Sequence, residues 1–306
     1  KALEMIRLVA QSRCNPVLIL GETGTGKELA ARGVHAWRCG DPERFVAVNC
    51  ATLTANLLES ELFGHVRGAF TGADRDKTGL LELAGEGTLL LDEISEMPDE
   101  LQAKLLRAIQ ERTFRKVGGT RDISCEATII ASSNRDLLSE TKTGRFRKDL
   151  YYRLAVFPIT LPSLRDPARR DDIALLADYF LSTSELSGAE NVGEIDPSAE
   201  RKLLAHDWPG NVRELRNVVN RAVLLQGRGA IEPQSILLEG GPPEESDDLS
   251  PAGAALQRAD ANKDFSLETA EREFIIRALK ETGWQRTRAA ALLEIGRASC
   301  RERVCH

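Results

Sequence analysis

The sequence lacks the features that mark a metal-binding, secreted or membrane-spanning protein. Its six cysteines and four histidines form no CxxC pair and no metal-ligand spacing, which argues against a zinc site. No apolar run approaches the roughly 18 residues that a membrane-spanning helix needs. The first residues do not form a signal peptide. We therefore predict a protein of a reducing, cytoplasmic compartment with no membrane partner.

The chain also lacks the basic excess of a dedicated nucleic-acid binder. Its formal net charge is -6, with 29% charged residues, which is ordinary for a soluble protein. Its 306 residues, 42% of them hydrophobic, suffice for one large domain and one or two small ones.

Short apolar runs separated by helical patterns predict a buried parallel sheet. These runs are residues 17–20, 45–48, 89–91, 127–131 and 156–159. Alternating strands and helices place the helices on the faces of such a sheet. We therefore predict an α/β fold for residues 1–162, a three-layer sandwich with a parallel sheet.

The strand signal stops after this region, and residues 163–238 are predicted to form a small all-helical domain. Asp196 and Pro197 read as an N-cap and a proline in the first helical turn. Asn211 and Glu214 have capping-box-like spacing and are predicted to open another helix.

A glycine-rich segment between the first predicted strand and the next helix has the form of a phosphate-binding loop. Its residues are Gly21, Glu22, Thr23, Gly24, Thr25, Gly26, Lys27 and Glu28. Glycines let backbone amides turn towards phosphates, the helix N-terminus adds positive potential, and Lys27 reaches the terminal phosphates. Glu28 stands where a serine or threonine usually binds Mg²⁺. A glycine-rich turn without a ligand is the alternative interpretation.

Two carboxylates, Asp92 and Glu93, follow the apolar run 89–91 directly. Ligands of open α/β sheets bind at the carboxyl ends of the strands. We therefore predict that Asp92 holds Mg²⁺ through water and that Glu93 orients or deprotonates an attacking water. A solvated turn is the alternative.

Two further segments carry a family resemblance. Residues 59–65 read ESELFGH, and a hexapeptide follows with the sequence GAFTGA, formed by Gly68, Ala69, Phe70, Thr71, Gly72 and Ala73. Together with the phosphate loop in its GETGTGKE form, they resemble the central AAA+ domain of sigma-54-dependent activators, also called bacterial enhancer-binding proteins. The resemblance runs from about residue 18 to residue 225, with a weaker match over 266–295. In that family the hexapeptide is a surface loop that contacts sigma-54. The alternative is that Phe70 packs in the core.

The resemblance implies roles for five more residues. Asn49 matches a residue that pairs with the catalytic glutamate as a nucleotide-sensing switch, and Asn134 matches sensor I. Arg147 and Arg153 match arginine fingers that act on a neighbouring subunit, and Arg213 matches sensor II of a helical lid. The alternatives are a turn-capping role for Asn134, surface ion pairs for Arg147 and Arg153, and a merely exposed helix arginine for Arg213.

The C-terminal part resembles the family's DNA-binding segment. Residues 239–264 are acidic and rich in helix breakers, which predicts a flexible linker. Residues 265–306 resemble a partial factor-for-inversion-type helix-turn-helix. We predict that it contacts DNA through Arg286, Thr287, Arg288 and Arg297. A dimerising helical hairpin is the alternative. The match fails after Ile295, so we expect a truncated or foreign end.

The resemblance thus implies an ATPase that uses ATP and Mg²⁺ and forms a homo-oligomeric ring, expected as a hexamer. Its expected partners are the sigma-54 RNA polymerase holoenzyme and enhancer DNA. One rival hypothesis is a DNA-binding regulator whose ATPase fold serves only oligomerisation. The other is a AAA+ remodeller of a different target.

Overall fold

The chain divides into two compact units, Lys1–Glu239 and Gly240–His306. A computed structural model describes residues 2–12, 14–184, 186 and 192–238, so the second unit and its predicted DNA-contacting arginines lie outside the described residues. The helices of the described part are α1 (Ala2–Gln11), α2 (Lys27–Arg38), α3 (Ala55–Phe63), α4 (Leu80–Leu83), α5 (Asp99–Glu111), α6 (Leu137–Lys142), α7 (Lys148–Leu154), α8 (Arg170–Ser182), α9 (Pro197–Ala205) and α10 (Asn211–Gln226).

The central sheet has five parallel strands in the order β2-β3-β6-β1-β7. The strands of the described part are β1 (Val17–Leu20), β2 (Phe45–Asn49), β3 (Thr88–Asp92), β4 (Thr113–Phe114), β5 (Ile123–Ser124), β6 (Thr128–Ser133), β7 (Pro158–Thr160), β8 (Val192–Ile195) and β9 (Gly229–Ile231). The five predicted apolar runs all fall on strands of this sheet, with boundary shifts of one or two residues.

Helices cover both faces of the sheet. Leu18 and Leu91 face one side, where they join a core that includes residues of α3, α5 and α7. Ile19 and Leu90 face the other side, where they pack with α1 and α2. The alternation follows from the period of two in a strand. The predicted three-layer sandwich is therefore confirmed.

The described residues from 164 to 184 and from 192 to 238 pack around a separate apolar core of α8, α9 and α10, in which Trp208 is fully buried. The helical prediction holds, and Asp196 caps α9 by accepting a hydrogen bond from the amide of Ser198. The segment is not all-helical, because β8 pairs with β9 in parallel. Strands of three or four residues, far apart in sequence, leave no periodic signal.

The expected capping role of Asn211 is also corrected. Asn211 is the first residue of α10, and the N-cap position belongs to Gly210. Glu214 does reach back, accepting a hydrogen bond from the Gly210 amide at 2.7 Å. The Asn211 side chain instead points to the phosphate loop.

Among the residues that the structure describes, no helix has the length and apolar character of a membrane span.

Candidate functional site

The loop between β1 and α2 is held in a conformation that glycine adopts most readily. Gly24 and Gly26 have φ angles of 79° and 96°. A Cβ atom on Gly24 would lie 2.2 Å from the carbonyl oxygen of Gly210. The loop therefore needs glycine both for its backbone angle and for its close approach to the helical segment.

Lys27 begins α2 and is almost fully buried, at 8% exposure. Its Nζ donates hydrogen bonds to the carbonyl oxygens of Gly21 at 2.9 Å and Glu22 at 3.2 Å. Burial lowers the pKa of Lys27, while the negative charges of Asp92 and Glu93 oppose that shift. The ammonium group is thus held by the loop itself, within electrostatic reach of both carboxylates.

Strand β3 delivers the two predicted carboxylates at its carboxyl end. Asp92 accepts a hydrogen bond from Ser132 Oγ on β6 at 2.5 Å. Glu93 has a φ angle of 53°, which is uncommon for a residue other than glycine and is concentrated at functional sites. Sequence reasoning missed Ser132, because its role depends on the order of strands in the sheet.

The phosphate loop, both carboxylates and Arg213 line a single cavity of about 470 Å³. Glu28 lies at the same cavity and forms an exposed ion pair with Arg32 at 2.8 Å. The positive charge of Arg213 contributes to the lowered pKa of Lys27, so the two cations are close in space. The cavity therefore combines cations with the carboxylates of Asp92 and Glu93 and that of Glu28, which is paired with Arg32, and this set suits a phosphate ligand together with a metal ion.

A second cavity of about 830 Å³ shares Gly26, Leu29 and Arg32 with the first. Its walls are mainly aliphatic and aromatic, including Leu3 of α1 and Trp37 of α2. Leu29 and Trp37 are 76% and 47% exposed, and together with Leu3 they form a contiguous apolar lining that is open to solvent. Sequence reasoning missed this cavity, because its residues come from separate parts of the chain and form no motif.

The two predicted asparagines lie at the same edge of the sheet. Asn134 follows β6, and its Nδ2 donates to Thr23 Oγ1 of the phosphate loop at 3.1 Å. Asn49 lies opposite Asp92 in strand register, and its Oδ1 accepts a hydrogen bond from the Ala51 amide. In the described structure no hydrogen bond joins Asn49 to Glu93, so the proposed switch contact is not made in this state.

The donor groups fit a magnesium ion that is shared with a phosphate ligand. Mg²⁺ is commonly bound by one or two carboxylates together with substrate phosphates, rather than by an all-protein cage. Asp92 and Glu93 supply such carboxylates beside Lys27. The described residues contain no group of three or more His, Cys, Asp or Glu able to hold a metal ion alone.

The two predicted finger arginines lie outside this cavity, at the two ends of α7. Arg147 precedes the helix and forms an ion pair with Asp149 at 2.7 Å. Arg153, in the last turn, is exposed and makes no ion pair with any residue that the structure describes. Tyr152 and Phe157 beside it are 59% and 50% exposed. Surface exposure suits both a role in another subunit and the alternative of a solvated arginine.

The hexapeptide is a surface loop, and Phe70 is not a core residue. Phe70 is 46% exposed and makes an edge-to-face contact with the ring of His65, at 5.0 Å between centroids. Gly68 and Gly72 have φ angles of 79° and 96° in open space. The loop closes on itself through a hydrogen bond from the Gly68 amide to the Ala73 carbonyl at 2.8 Å.

The loop is braced at its base by residues that the sequence reasoning did not select. Ser60 at the end of α3 is hydrogen-bonded to His65 Nδ1 at 2.8 Å, and both side chains are buried. Val66 bonds to Val117 in the connection between β4 and β5. The antiparallel β4–β5 pair, which was not predicted, therefore supports the loop.

This sandwich, with a phosphate loop on β1, two carboxylates ending β3 and a helical lid, defines the AAA+ class of nucleotide-binding proteins. The same fold is found in a structure of Hsp104, which aligns over 72% of this chain with a TM-score of 0.54 and 20% identity.

The chain belongs to the sigma-54 interaction domain family, whose model matches residues 1–160. The model of the AAA+ ATPase lid domain matches residues 167–248. The model described as bacterial regulatory protein, Fis family, matches residues 266–304. This last match continues past Ile295, which corrects the expected end of the resemblance.

Several bacterial proteins are similar to nearly the whole chain. Regulatory protein AtoC of Escherichia coli K12 is 47% identical over 285 residues, which are 92% of this chain and 60% of AtoC. Transcriptional regulatory protein ZraR of the same organism is 45% identical over 96% of this chain and 64% of its own length. A structure of NtrX from Brucella abortus in complex with ATP aligns over 99% of this chain and 66% of NtrX, with a TM-score of 0.68 and 33% identity. The chain thus spans about 60% of AtoC and 64% of ZraR.

Cys50, directly after Asn49, is a buried thiol close to both carboxylates of the site. Burial, together with the charges of Asp92 and Glu93, raises the pKa of its thiol to about 12. Because the thiolate is the reactive form, we expect iodoacetamide at about pH 8 to leave Cys50 unmodified in the folded protein. The half-buried Cys14 and Cys39 should react first. Peptide mass mapping before and after denaturation measures this, and modification of Cys50 as fast as Cys39 in the folded protein contradicts it.

Proposed function

We propose that this chain hydrolyses ATP and uses the energy to remodel the sigma-54 RNA polymerase closed complex at promoters. The observation that carries the proposal is the single cavity that combines the phosphate loop, Asp92, Glu93 and Arg213, on a chain that also presents an exposed GAFTGA loop. The nucleotide-bound NtrX structure supports ATP as the ligand. The adjoining apolar cavity has the size and chemistry to take the base and sugar.

Each group of the cavity has a distinct task. Lys27 and Arg213 bind the phosphates, and Glu93 orients or deprotonates the attacking water. Asn134 positions the loop through Thr23, and Asn49 senses the nucleotide state beside Asp92. Asp92 would hold magnesium, which would supply positive charge that neutralises the phosphates.

Substitutions at Lys27 and Glu93 should affect ATP binding and ATP hydrolysis differently. We expect Lys27→Ala to weaken ATP binding by about 10- to 100-fold, since it removes charge-assisted hydrogen bonds to the ground state. Glu93→Gln should keep ATP affinity and lower turnover by about 100-fold or more, since it removes general-base catalysis. Fluorescent-nucleotide titration and phosphate release measure the two quantities. An equal loss of affinity in both variants argues against these roles.

We also propose a homo-oligomeric ring, a hexamer, in which α7 of one subunit faces the nucleotide of its neighbour. Arg153 is exposed and ion-paired to no described residue, and the large side chains of Tyr152 and Phe157, near it in the sequence, are also exposed. Such a surface suits an interface better than solvent. Arg147 would exchange its Asp149 partner for a phosphate when the neighbour binds nucleotide.

Arg153→Ala should lower hydrolysis by about 1000-fold while ATP binding persists, as for other arginine fingers. Arg147→Ala should act in the same direction. Lys148→Ala, on the same helix, is the matched control and should retain turnover. Mixing Arg153→Ala protein with Lys27→Ala protein should partly restore hydrolysis, because each subunit supplies what its neighbour lacks. If mixed rings form and no mixing ratio restores turnover, the trans-acting role is wrong.

The exposed hexapeptide, residues 68–73, is the proposed contact with sigma-54. Phe70 is an aromatic side chain, half exposed, on a loop in which Gly68 and Gly72 have positive φ angles, which suits a surface that docks on another protein.

The proposed contact with enhancer DNA lies in Arg286, Thr287, Arg288 and Arg297, outside the described residues. A cytoplasmic location remains part of the same proposal.

Phe70→Ala or Thr71→Ala should uncouple the motor from its target. We expect ATP turnover within about twofold of the parent, because the loop carries no catalytic group, while open-complex formation is lost. Leu83→Ala, which also removes an exposed apolar side chain, is the control and should keep both activities. Retained open-complex formation in both loop variants would show that a surface other than residues 68–73 contacts sigma-54.

A further inference from the structure

The side chain of Asn211 joins three segments of the chain through hydrogen bonds. Its Oδ1 accepts from the amide of Leu164 at 2.9 Å, at the entry to the helical segment. Its Nδ2 donates to the carbonyl of Thr23 at 3.0 Å and to Glu22 Oε2 at 3.1 Å, with a longer contact to Pro209 at 3.4 Å. Asn211 is fully buried, so the Asn211 end of each bond is shielded from water, and the bond to the Leu164 amide is buried at both ends.

The acceptor Glu22 is the second residue of the phosphate loop. It also receives a hydrogen bond from Arg165 Nη2 at 2.7 Å. The hydrogen bond from Asn211 is the largest single cause that lowers the pKa of the Glu22 carboxyl, and the hydrogen bond and charge of Arg165 lower this pKa further. Because Glu22 and Arg165 are each nearly half exposed, their ion pair is screened by solvent and contributes little. The buried amide of Asn211 is the stronger connection.

Backbone contacts continue this connection towards the phosphates. The amide of Val212 donates to the carbonyl of Gly24 at 3.1 Å. Gly210 approaches Gly24 so closely that no side chain fits between them. Arg213 follows Val212 and lines the cavity with Lys27. The position of Arg213 therefore depends on how the first turn of α10 is fastened to the loop.

We propose that Asn211 is a positioning residue that fastens the phosphate loop to the first turn of α10, and that nucleotide affinity depends on this contact through Arg213. The proposal rests on the proposed function in taking ATP as the ligand. An asparagine suits the position because one amide supplies the donor for Glu22 and Thr23 and the acceptor for Leu164. Its φ angle of 54° is one that asparagine and aspartate tolerate better than most residues.

A substitution of nearly the same size can remove the hydrogen-bond donor of the Asn211 side chain while keeping its acceptor. Asn211→Asp keeps an acceptor for the Leu164 amide but replaces the donor by a carboxylate oxygen that faces Glu22 and the Thr23 carbonyl. Adding Glu22→Gln offers a side-chain amide that can donate to the new carboxylate, which reverses the direction of the bond. Asn217→Asp, an exposed position on the same helix, is the matched control for charge.

The full chain is studied in two assays, hydrogen exchange of the Val212 amide without nucleotide and affinity for a fluorescent ATP analogue with Mg²⁺. We expect Asn211→Asp to speed the exchange and weaken binding at least about tenfold, the scale of a lost hydrogen bond to a charged group. Asn217→Asp should match the parent in both assays. The double variant should recover part of the affinity and part of the exchange protection.

Parent-like affinity and exchange in Asn211→Asp overturn the proposal, and so does a loss that the double variant does not recover. If Asn211→Asp does not fold, Glu22→Ala decides, because Glu22 is exposed and its truncation leaves the core intact. Glu22→Ala should speed Val212 exchange and weaken binding, and parent-like behaviour overturns the proposal. Failure of the parent chain to bind the analogue contradicts the proposed function itself, whereas parent binding with an unaffected Asn211→Asp contradicts only the positioning role.

Discussion

The parallel alignment of strands in the central sheet is the constraint on which the site depends. Parallel strands point the same way, so their carboxyl ends meet at one edge. Asn49 lies opposite Asp92, and Leu20 lies opposite Ser133, one residue before Asn134. The phosphate loop begins directly after Leu20. Buried strands thus bring groups that are far apart in sequence to one cavity.

The same arrangement connects the cavity to the exposed loop. The amide of Cys50 donates to the Asp92 carbonyl, which ties the end of β2 to the end of β3. Helix α3 follows β2, and its buried Ser60 bonds to His65. The ring of His65 in turn contacts Phe70. A change at Asn49 can therefore reach the hexapeptide through one helix and two side chains, which gives the proposed coupling a short physical route.

What could be predicted from the sequence is what is encoded locally. The phosphate loop carries its chemistry in consecutive residues, and the buried strands appear as apolar runs. The sheet and the phosphate loop could therefore be predicted from the sequence. The β8–β9 pair joins short segments whose pairing depends on the packing of α8 and α10. Asn211 fits a capping pattern, yet its buried side chain bonds to a loop nearly two hundred residues away. The apolar cavity has no motif, because it exists only where α1, α2 and residues 161–172 meet. Arg147 and Arg153 are proposed to contact the nucleotide of a neighbouring subunit, and that contact does not lie within a single chain.

We propose that the phosphate site controls the GAFTGA loop. The most direct test is capture of purified sigma-54 by the full chain in the presence of ADP with a metal fluoride, which mimics the transition state of hydrolysis. We expect a stable complex with this analogue, none with ADP alone, and none with either ligand when Phe70 is replaced by alanine. Equal capture of sigma-54 with and without the analogue, or capture that is indifferent to Phe70, would contradict it.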